Sequence, residues 1–297
     1  MPTGTGPKAQ RSGRDRARML ISCPDRPGIV AAVSDFLFTQ GANIISSDQY
    51  SSDPSQGTFF MRLEFDLPAI RTRKEEIARA FEPLARSLAM TWRFETLRPR
   101  KRVAIFASRE EHCLLELLWR WRSGELDAEI PLVISNHEIL SEAAQSFGLP
   151  FVYIPVEPEQ QQKAEEEQMH RLADATVDLI VLARYMQILS PAMVDRYPGR
   201  IINIHHSFLP AFAGAKPYEQ AYARGVKIIG ATAHYVTTDL DAGPIIEQDV
   251  QRVTHRDNVD DLKRIGRQIE RSVLARAVAW HLESRVLIHG NRTVVFR

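Results

Sequence analysis

Five short apolar runs, separated by stretches with helical spacing, constrain the fold of this chain more than any other feature. They read VAIFAS, IPLVIS, FVYIPV, VDLIVLA and RIINI, and they begin at residues 103, 130, 151, 177 and 200. Short runs of this kind are typical of parallel strands that helices cover on both faces. The alternation therefore predicts an α/β domain with an open, mostly parallel sheet in residues 103–297.

The segments that follow these runs predict further elements. We expect a strand pair at 226–236 and 244–252, a long amphipathic helix at 258–282 and a terminal hairpin in RVLIHGNRTVVF. The run EPEQQQKAEEEQ at 157–168 is rich in glutamine and glutamate, and we interpret it as the solvated face of a helix.

The first third of the chain has a different pattern, which predicts a separate ferredoxin-like domain. Strands are expected in MLISCP, around 43–50, in TFFMRLEFDL and in TWRFETL, with one helix after Gly28 and a second around 77–88. The order is β-α-β-β-α-β. We place a disordered tail at 1–18, this domain at 19–97, a linker (RPRKR) at 98–102 and the α/β domain at 103–297.

Charge, hydropathy and cysteine content exclude several classes of function. The 297 residues carry a formal net charge of +1, which gives no global field for nucleic acid or an anionic membrane. No apolar run reaches the roughly 18–20 residues that a membrane span needs. Cys23 and Cys113 are isolated, so they predict neither a disulfide framework nor a zinc site. We expect a cytoplasmic protein that binds neither nucleic acid nor membrane.

Polar side chains gather where the fifth apolar run ends. Asn203 and His205 are two residues apart, so in a strand they point to the same side, whereas His206 points elsewhere. Ligands of open α/β sheets bind at the carboxyl ends of strands. The later segment ATAHYVTTDLDAGPII ends a strand and places Asp241 in a loop with Gly243. These groups are candidates for one shared site.

An amide, an imidazole and a carboxylate together suit attack on a carbonyl group. Asn203 and His205 can stabilise an oxyanion, and Asp241 can orient and deprotonate a water molecule. The alternative that Asn203 and His205 only cap loops stays open at this point. Metal binding and a nucleophilic Ser207 are weaker interpretations, because adjacent histidines are poorly spaced ligands and no G-x-S-x-G motif surrounds the serine.

These motifs resemble known families. The segments NIHHSFLPAF, TAHYV and DLDAGPII are similar to the formyltransferase-type family that handles 10-formyltetrahydrofolate, and LARYMQILSP (182–191) resembles its folate-binding loop. The N-terminal DRPGIVAAVSDFLFTQGANI resembles an ACT domain, a small ligand-sensing module. An ACT domain followed by a formyltransferase-like domain resembles the formyltetrahydrofolate deformylase family.

The resemblance implies a reaction and assigns residues to it. The reaction is hydrolysis of 10-formyltetrahydrofolate to tetrahydrofolate and formate, in one-carbon and purine metabolism, with no metal or organic cofactor. Catalysis falls to Asn203, His205 and Asp241, supported by His234 and Lys216. The alternative for Lys216 is a solvated surface lysine. Contacts to the folate are expected from Met186, Gln187, Ile188, Leu189, Val236 and Leu240, although ordinary core packing is an alternative for Met186 and Leu189.

The stretch FASREEHCLL (106–115) bears on the formyl acceptor. A related ribonucleotide formyltransferase holds its substrate phosphate in a glycine-rich loop here, whereas this chain has no glycine and carries Glu110 and Glu111. Carboxylates at a helix start repel a phosphate, although Arg109 offsets part of this. Water is then the acceptor left. Transfer to a small amine and a non-catalytic folate or amino-acid sensor stay as alternatives.

The ACT-like domain suggests regulation and assembly. We expect Asp25, Gly28 and Ile29 to bind a small amino acid together with Asn43 and Ile44, across or within a subunit interface. The resemblance suggests glycine or methionine as the effector. ACT modules usually pair edge to edge, so we expect a homo-oligomer of at least two chains. The alternative is a domain that serves oligomerisation alone.

Overall fold

The computed structural model describes residues 15–53, 56–157, 159–211 and 217–297. Contacts divide the chain into two units, the first ending at Pro99 and the second beginning at Arg100. The elements of the first unit are β1 (Arg16–Pro24), α1 (Ile29–Thr39), β2 (Asn43–Ser51), β3 (Thr58–Asp66), α2 (Ile70–Ser87) and β4 (Thr91–Thr96). The strands form an antiparallel sheet in the order β2-β3-β1-β4, which confirms the predicted β-α-β-β-α-β fold.

The apolar periodicity of α1 explains how this helix packs on its sheet. Ile29, Val33 and Leu37 share one face and are buried. The ring of Phe81 in α2 meets those of Phe36 and Trp92 edge to face, with centroids 5.0 Å apart in both pairs. Such pairs contribute about 0.5–1.5 kcal/mol beyond their buried area. One apolar layer therefore joins both helices to the sheet.

Two predicted boundaries need correction. The tail was expected to extend to residue 18, but β1 already begins at Arg16, where that side chain pairs with Asp66 of β3. Residues 1–14 lie outside the described residues. The linker was expected to extend to residue 102, but the next strand begins at Lys101. Both errors arise because charged residues at strand ends do not interrupt a backbone ladder.

The second unit contains nine described strands. They and their helices are β5 (Lys101–Ala107), α3 (His112–Ser123), β6 (Ala128–Ser135), α4 (Ser141–Ser146), β7 (Phe151–Tyr153), α5 (Gln161–Asp174), β8 (Leu179–Ala183), α6 (Pro191–Arg196), β9 (Ile201–His205), α7 (Pro217–Arg224), β10 (Ile228–Tyr235), β11 (Ile245–Arg252), α8 (Val259–Leu282), β12 (Val286–His289) and β13 (Arg292–Val295). The last two form the expected hairpin.

Seven of these strands form the predicted mostly parallel sheet. Their order is β11-β10-β9-β8-β5-β6-β7, and β5 to β9 are parallel, whereas β10 is antiparallel to both of its neighbours. Alternate residues of β5 face opposite layers: Val103 and Ile105 pack in the layer of α3 and α8, and Ala104 and Phe106 in that of α5. None of the described helices is long and apolar enough to cross a membrane.

The interpretation of 157–168 as a solvated face is wrong for two residues of α5. Glu165 and Gln168 are buried. The Glu165 carboxylate accepts a hydrogen bond from the Ser190 amide (2.8 Å), and the Gln168 amide donates to the Tyr185 hydroxyl (2.7 Å). These polar side chains are buried because the loop after β8 supplies their partners. Helix α5 thereby anchors the 182–191 loop.

Candidate active site

Strands β9 and β10 bring the predicted amide and imidazole groups together. In the antiparallel register Asn203 lies opposite His234, and His205 lies opposite Thr232. Directly opposed residues on one face are in side-chain contact. Accordingly, Asn203 Nδ2 and His234 Nε2 are 3.2 Å apart. His205 and His234 are both buried.

The loop after β10 folds Asp241 back onto these strands. A side chain at Gly243 would place its Cβ 1.8 Å from the Tyr235 carbonyl oxygen, so this close approach requires glycine. The Tyr235 amide donates to the Pro244 carbonyl (2.9 Å). Asp241 itself has a φ of 53°. A left-handed non-glycine residue costs about 1–3 kcal/mol and is typical of functional sites.

Hydrogen bonds define the orientation of each ring. Asp241 Oδ2 lies 3.2 Å from His205 Nδ1, and Asp241 Oδ1 lies 3.7 Å from His234 Nε2. A carboxylate only accepts, so His205 Nδ1 carries the proton that it donates. His234 Nδ1 donates to the Tyr235 carbonyl (2.9 Å), and in this tautomer Nε2 accepts from the Asn203 amide. His234 therefore orients Asn203.

The site holds an ionised carboxylate beside an unused ring nitrogen. The hydrogen bond from His205 holds the pKa of Asp241 well below its usual range against the opposing effect of burial. His205 Nε2 is buried and has no hydrogen-bond partner among the described residues. Both residues line one cavity of about 270 Å³ together with Asn203. The cavity thus presents the three groups that attack on a carbonyl requires.

The structure places all six predicted folate-contact residues around this cavity: Met186, Gln187, Ile188, Leu189, Val236 and Leu240. Met186, Ile188 and Leu240 are 60%, 62% and 65% exposed, so Met186 is not an ordinary core residue. Leu189 and Val236 are half-buried and pack against the α5 layer. Exposed apolar side chains around a polar centre suit a flat ring with polar edges. Lys216 lies outside the described residues.

Sequence reasoning did not assign every residue that lines the cavity, and two of the missed residues bear on its chemistry. His206 was expected to point elsewhere, but it lines the cavity, with its ring centroid 5.3 Å from that of His205. Burial, with the charge of Arg184, lowers the pKa of His206 to about 4, so the ring is neutral. Arg184 directly follows β8 and is the second of these residues. Its position in the LARYMQILSP motif was the feature of the sequence that could have indicated its place at the cavity.

A second buried carboxylate, Glu270 of α8, holds Arg184. Glu270 Oε2 accepts from His112 Nε2 (2.8 Å) and lies 3.4 Å from Arg184 Nε, while Oε1 accepts from the Tyr218 hydroxyl (2.5 Å). Burial opposes ionisation, but the His112 hydrogen bond and the Arg184 charge lower the pKa of Glu270 to about 2. The position of Glu270 on the buried face of α8, next to Ile269, was the feature of the sequence that could have indicated its burial.

Side chains of His112, Cys113 and Glu270 come close enough to hold a metal ion, but their chemistry does not fit one. Burial raises the pKa of the Cys113 thiol well above its usual value, whereas a metal binds the thiolate. Glu270 is already bound by His112 Nε2. The group is better described as a packed hydrogen-bond cluster.

The predicted effector residues lie at opposite ends of β2. The Asp25 carboxylate accepts from the hydroxyl of Ser51, the last residue of β2, whereas Asn43 is its first. A strand of nine residues spans about 26 Å at ~3.3 Å per residue. One chain therefore does not bring Asp25 and Asn43 together, so a pocket that contains both residues requires two chains. Gly28 and Ile44 are exposed, but the buried Ile29 offers only backbone groups.

Comparison with known proteins defines the class of this one. The ACT domain family matches residues 17–82, and the formyl transferase family matches residues 101–278. The chain is an ACT-domain protein with a formyl transferase domain. Its second domain is also similar to a crystal structure of glycinamide ribonucleotide transformylase 1 from Symbiobacterium toebii, with 32% identity and a TM-score of 0.63, covering 67% of this chain and 95% of that chain.

Relatives along the whole chain identify the family. The formyltetrahydrofolate deformylase of Bacillus subtilis is 58% identical over 282 residues, which are 95% of this chain and 94% of the relative. The crystal structure of a formyltetrahydrofolate deformylase from Pseudomonas syringae pv. tomato is 49% identical, with a TM-score of 0.89 and 95% of each chain covered. The chain belongs to the formyltetrahydrofolate deformylase family, a family of hydrolases.

Proposed function

We propose that this enzyme hydrolyses 10-formyltetrahydrofolate to tetrahydrofolate and formate in the cavity shared by Asn203, His205 and Asp241. The observation that carries the proposal is the 3.2 Å contact between Asp241 and His205, with His205 Nε2 left without a hydrogen-bond partner in the described part of the chain. Relatives named for this reaction, at up to 58% identity, support the choice of substrate.

Each group has a defined task in this mechanism. The substrate is a formamide, and attack on its carbonyl carbon places negative charge on the formyl oxygen. Asn203, oriented by His234, donates to that oxygen, a contribution of about 10²–10³-fold for one such donor. Donation from His205 Nε2 to the same oxygen requires a ring that is protonated on both nitrogens, and this Nε2 proton later passes to the leaving nitrogen. Asp241 accepts a proton from the attacking water.

The low pKa of Asp241 couples these proton transfers. While His205 donates its Nδ1 proton, the carboxylate is a weak base. When His205 gives its Nε2 proton to the leaving nitrogen, the ring becomes neutral, and the loss of this positive charge lets Asp241 retain the proton that it took from the water. The water oxygen bonds to the formyl carbon, the C–N bond breaks, the nitrogen is protonated and formate leaves. All acid, base and oxyanion functions come from side chains, so the proposed reaction needs no metal or organic cofactor.

One argument against a phosphate-bearing acceptor is weaker in the structure than in the sequence. Glu110 was expected to repel a phosphate at the start of α3, but Arg267 pairs with it at 3.1 Å. Arg109 donates to His137 Nε2 (3.1 Å). Glu111 remains as the exposed residue that precedes α3. The preference for water therefore rests on the deformylase relatives and on the cavity, more than on repulsion at this helix.

Purified protein incubated with 10-formyltetrahydrofolate alone tests the proposal. We expect formate release without an added acceptor, and no formylated product when glycinamide ribonucleotide is present. Formyl product that appears with an amine, with no release of formate in its absence, would establish a transferase. Folate binding with no turnover under either condition would establish a sensor.

We further propose that the ACT domain binds a small amino acid between two chains, with glycine and methionine as the first candidates. Strand β2 is an edge of its sheet and exposes Ile44, Ile45 and Tyr50. An exposed apolar edge strand is a template for pairing with a second copy. Antiparallel pairing of two β2 edges would bring Asn43 of one chain to the Asp25 end of the other. The separation of these residues within one chain supports a site between chains.

The cellular context stays part of the proposal. Cys23 and Cys113 are free and buried, which is typical of a reducing compartment such as the cytoplasm. Release of tetrahydrofolate and formate would connect the enzyme to one-carbon and purine metabolism.

A further inference from the structure

Arg184 lines the cavity, and two donors of its guanidinium are unused among the described residues. Its side chain is 13% exposed, and its φ of 62° turns the backbone directly after β8. Among the described residues, Nη1 and Nε have no hydrogen-bond partner, although Nε has the ionic contact to Glu270 at 3.4 Å. A buried guanidinium with unused donors is costly unless a ligand satisfies it.

The surrounding residues hold this guanidinium in place. Glu270 is ionised and receives hydrogen bonds from His112 and Tyr218. A Cβ at Gly266 would lie 1.9 Å from the Tyr218 hydroxyl, so the glycine permits Tyr218 to reach Glu270 one helical turn further along α8. Helices α3, α7 and α8, which carry His112, Tyr218 and Glu270, thus fix the position of Arg184.

The Arg184 cluster adjoins the proposed catalytic groups. His206 lies between them, with its ring centroid 5.3 Å from that of His205 and 6.0 Å from that of Tyr218. The charges of Arg184 and Asp241 both act on His206. Arg184, His205 and Asp241 line the same cavity. The guanidinium is therefore a candidate contact for an acceptor bound beside the formyl group.

We propose that Arg184 selects water over an amine as the formyl acceptor. A guanidinium donates hydrogen bonds and accepts none. Water has two lone pairs: one accepts from Arg184 and the other attacks the formyl carbon, while an O–H donates to Asp241. A primary amine has one lone pair, which the attack consumes, so its N–H groups would face the N–H groups of Arg184. The inference rests on the proposed hydrolysis and names the residue that determines its acceptor specificity.

The product ratio in the presence of glycinamide, a small primary amine, tests this inference. We expect the ratio of N-formylglycinamide to formate to rise about tenfold in Arg184→Gly and Arg184→Gln, the size of one hydrogen bond. Glycine suits the φ of 62° without strain, and glutamine offers an acceptor to the amine. Arg184→Lys is the matched control, because lysine also only donates, and it should keep the wild-type ratio.

A ratio is independent of how much enzyme is folded, so a merely structural effect of these substitutions does not change it. Because Arg184→Gly leaves Glu270 without its cation, Arg184→Gly combined with Glu270→Gln is measured as well and should show the same rise. A wild-type ratio in Arg184→Gln and in the double variant, or an equal rise in Arg184→Lys, overturns the inference. Absence of formate release by the wild-type enzyme contradicts the proposed hydrolysis instead.

Discussion

The regions around Asp241 and Glu270 each keep a carboxylate ionised, but the first carboxylate borders a cavity and the second is enclosed by protein. Asp241 lies on a strained loop, is 18% exposed and lines the cavity, with contacts to His205 and His234. Glu270 lies in the middle of α8, is 1% exposed and is bound by His112, Tyr218 and Arg184. Both have a lowered pKa. A lowered pKa therefore does not distinguish a reactive carboxylate from a structural one.

The two carboxylates differ in how easily a water molecule reaches them. The cavity lets a water molecule reach Asp241, whereas protein donors surround the oxygens of Glu270. Perturbed groups cluster at functional sites, but structural ion pairs perturb them as well. We therefore expect substitutions near Asp241 to act mainly on turnover, and substitutions at Glu270 to act mainly on stability.

The largest expected effects concern the oxyanion donors. Asn203→Ala and His205→Ala should each reduce kcat by about 10²–10³-fold and change KM much less, because both interactions strengthen in the transition state. The double variant should be little worse than the worse single one, since both donors serve one oxygen. Steady-state formate release measures this, and additive losses in the double variant would argue against a shared oxyanion site.

Asp241→Asn should reduce kcat by about 10²-fold or more, as expected for a lost general base, while folate still binds. Its unfolding midpoint should fall less than that of Glu270→Gln, because Asp241 is more exposed and asparagine tolerates the φ of 53°. Formate release and folate titration measure the two sides of this prediction. Retention of more than about a tenth of the wild-type rate would show that another group activates the water.

Glu270→Gln should lower the free energy of unfolding by about 3 kcal/mol, because it leaves Arg184 buried without its counter-charge. Glu167→Gln is the matched control: Glu167 pairs with Arg171 on the exposed face of α5, and such pairs contribute less than about 1 kcal/mol. Urea unfolding of both variants checks the difference. Equal, small losses would remove the structural distinction drawn between the two carboxylates.

The stability difference between the wild-type enzyme and Glu270→Gln should depend on pH. Folding lowers the pKa of Glu270 from its ordinary value of 4.5 to about 2. A depressed carboxyl pKa stabilises the fold above the unfolded pKa, and this contribution is lost as pH falls through the folded pKa. The difference should be full at pH 7 and shrink between about pH 4.5 and 2. A difference that stays constant over this window would mean that Glu270 is not the group being protonated.

The smallest expected effect belongs to the ACT domain. Glycine or methionine should change the deformylase rate several-fold, as couplings of about 1–3 kcal/mol do, and Asn43→Ala should weaken binding. Calorimetry and rate measurements on the full chain test this together. Binding of neither amino acid, with an unchanged rate, would leave the domain as a scaffold.

Local pattern was sufficient for some of these features and insufficient for others. The two-residue spacing of Asn203 and His205 fixed their common face, and the loop glycine at 243 indicated where Asp241 turns. The burial of Glu165 and Gln168 was not predictable, because their partners come from a loop distant in sequence. The pairing of Arg184 with Glu270 is likewise a tertiary contact between distant segments. Local spacing does not encode such pairs.

A single-turnover reaction in H₂¹⁸O tests most directly whether Asp241 activates water for attack on the formyl group. Enzyme in excess over 10-formyltetrahydrofolate should release formate in which one oxygen atom is ¹⁸O in every molecule, because the water oxygen bonds to the formyl carbon. Formate without ¹⁸O, accompanied by label in the Asp241 carboxylate, would show that Asp241 attacks the formyl carbon itself and would contradict the account.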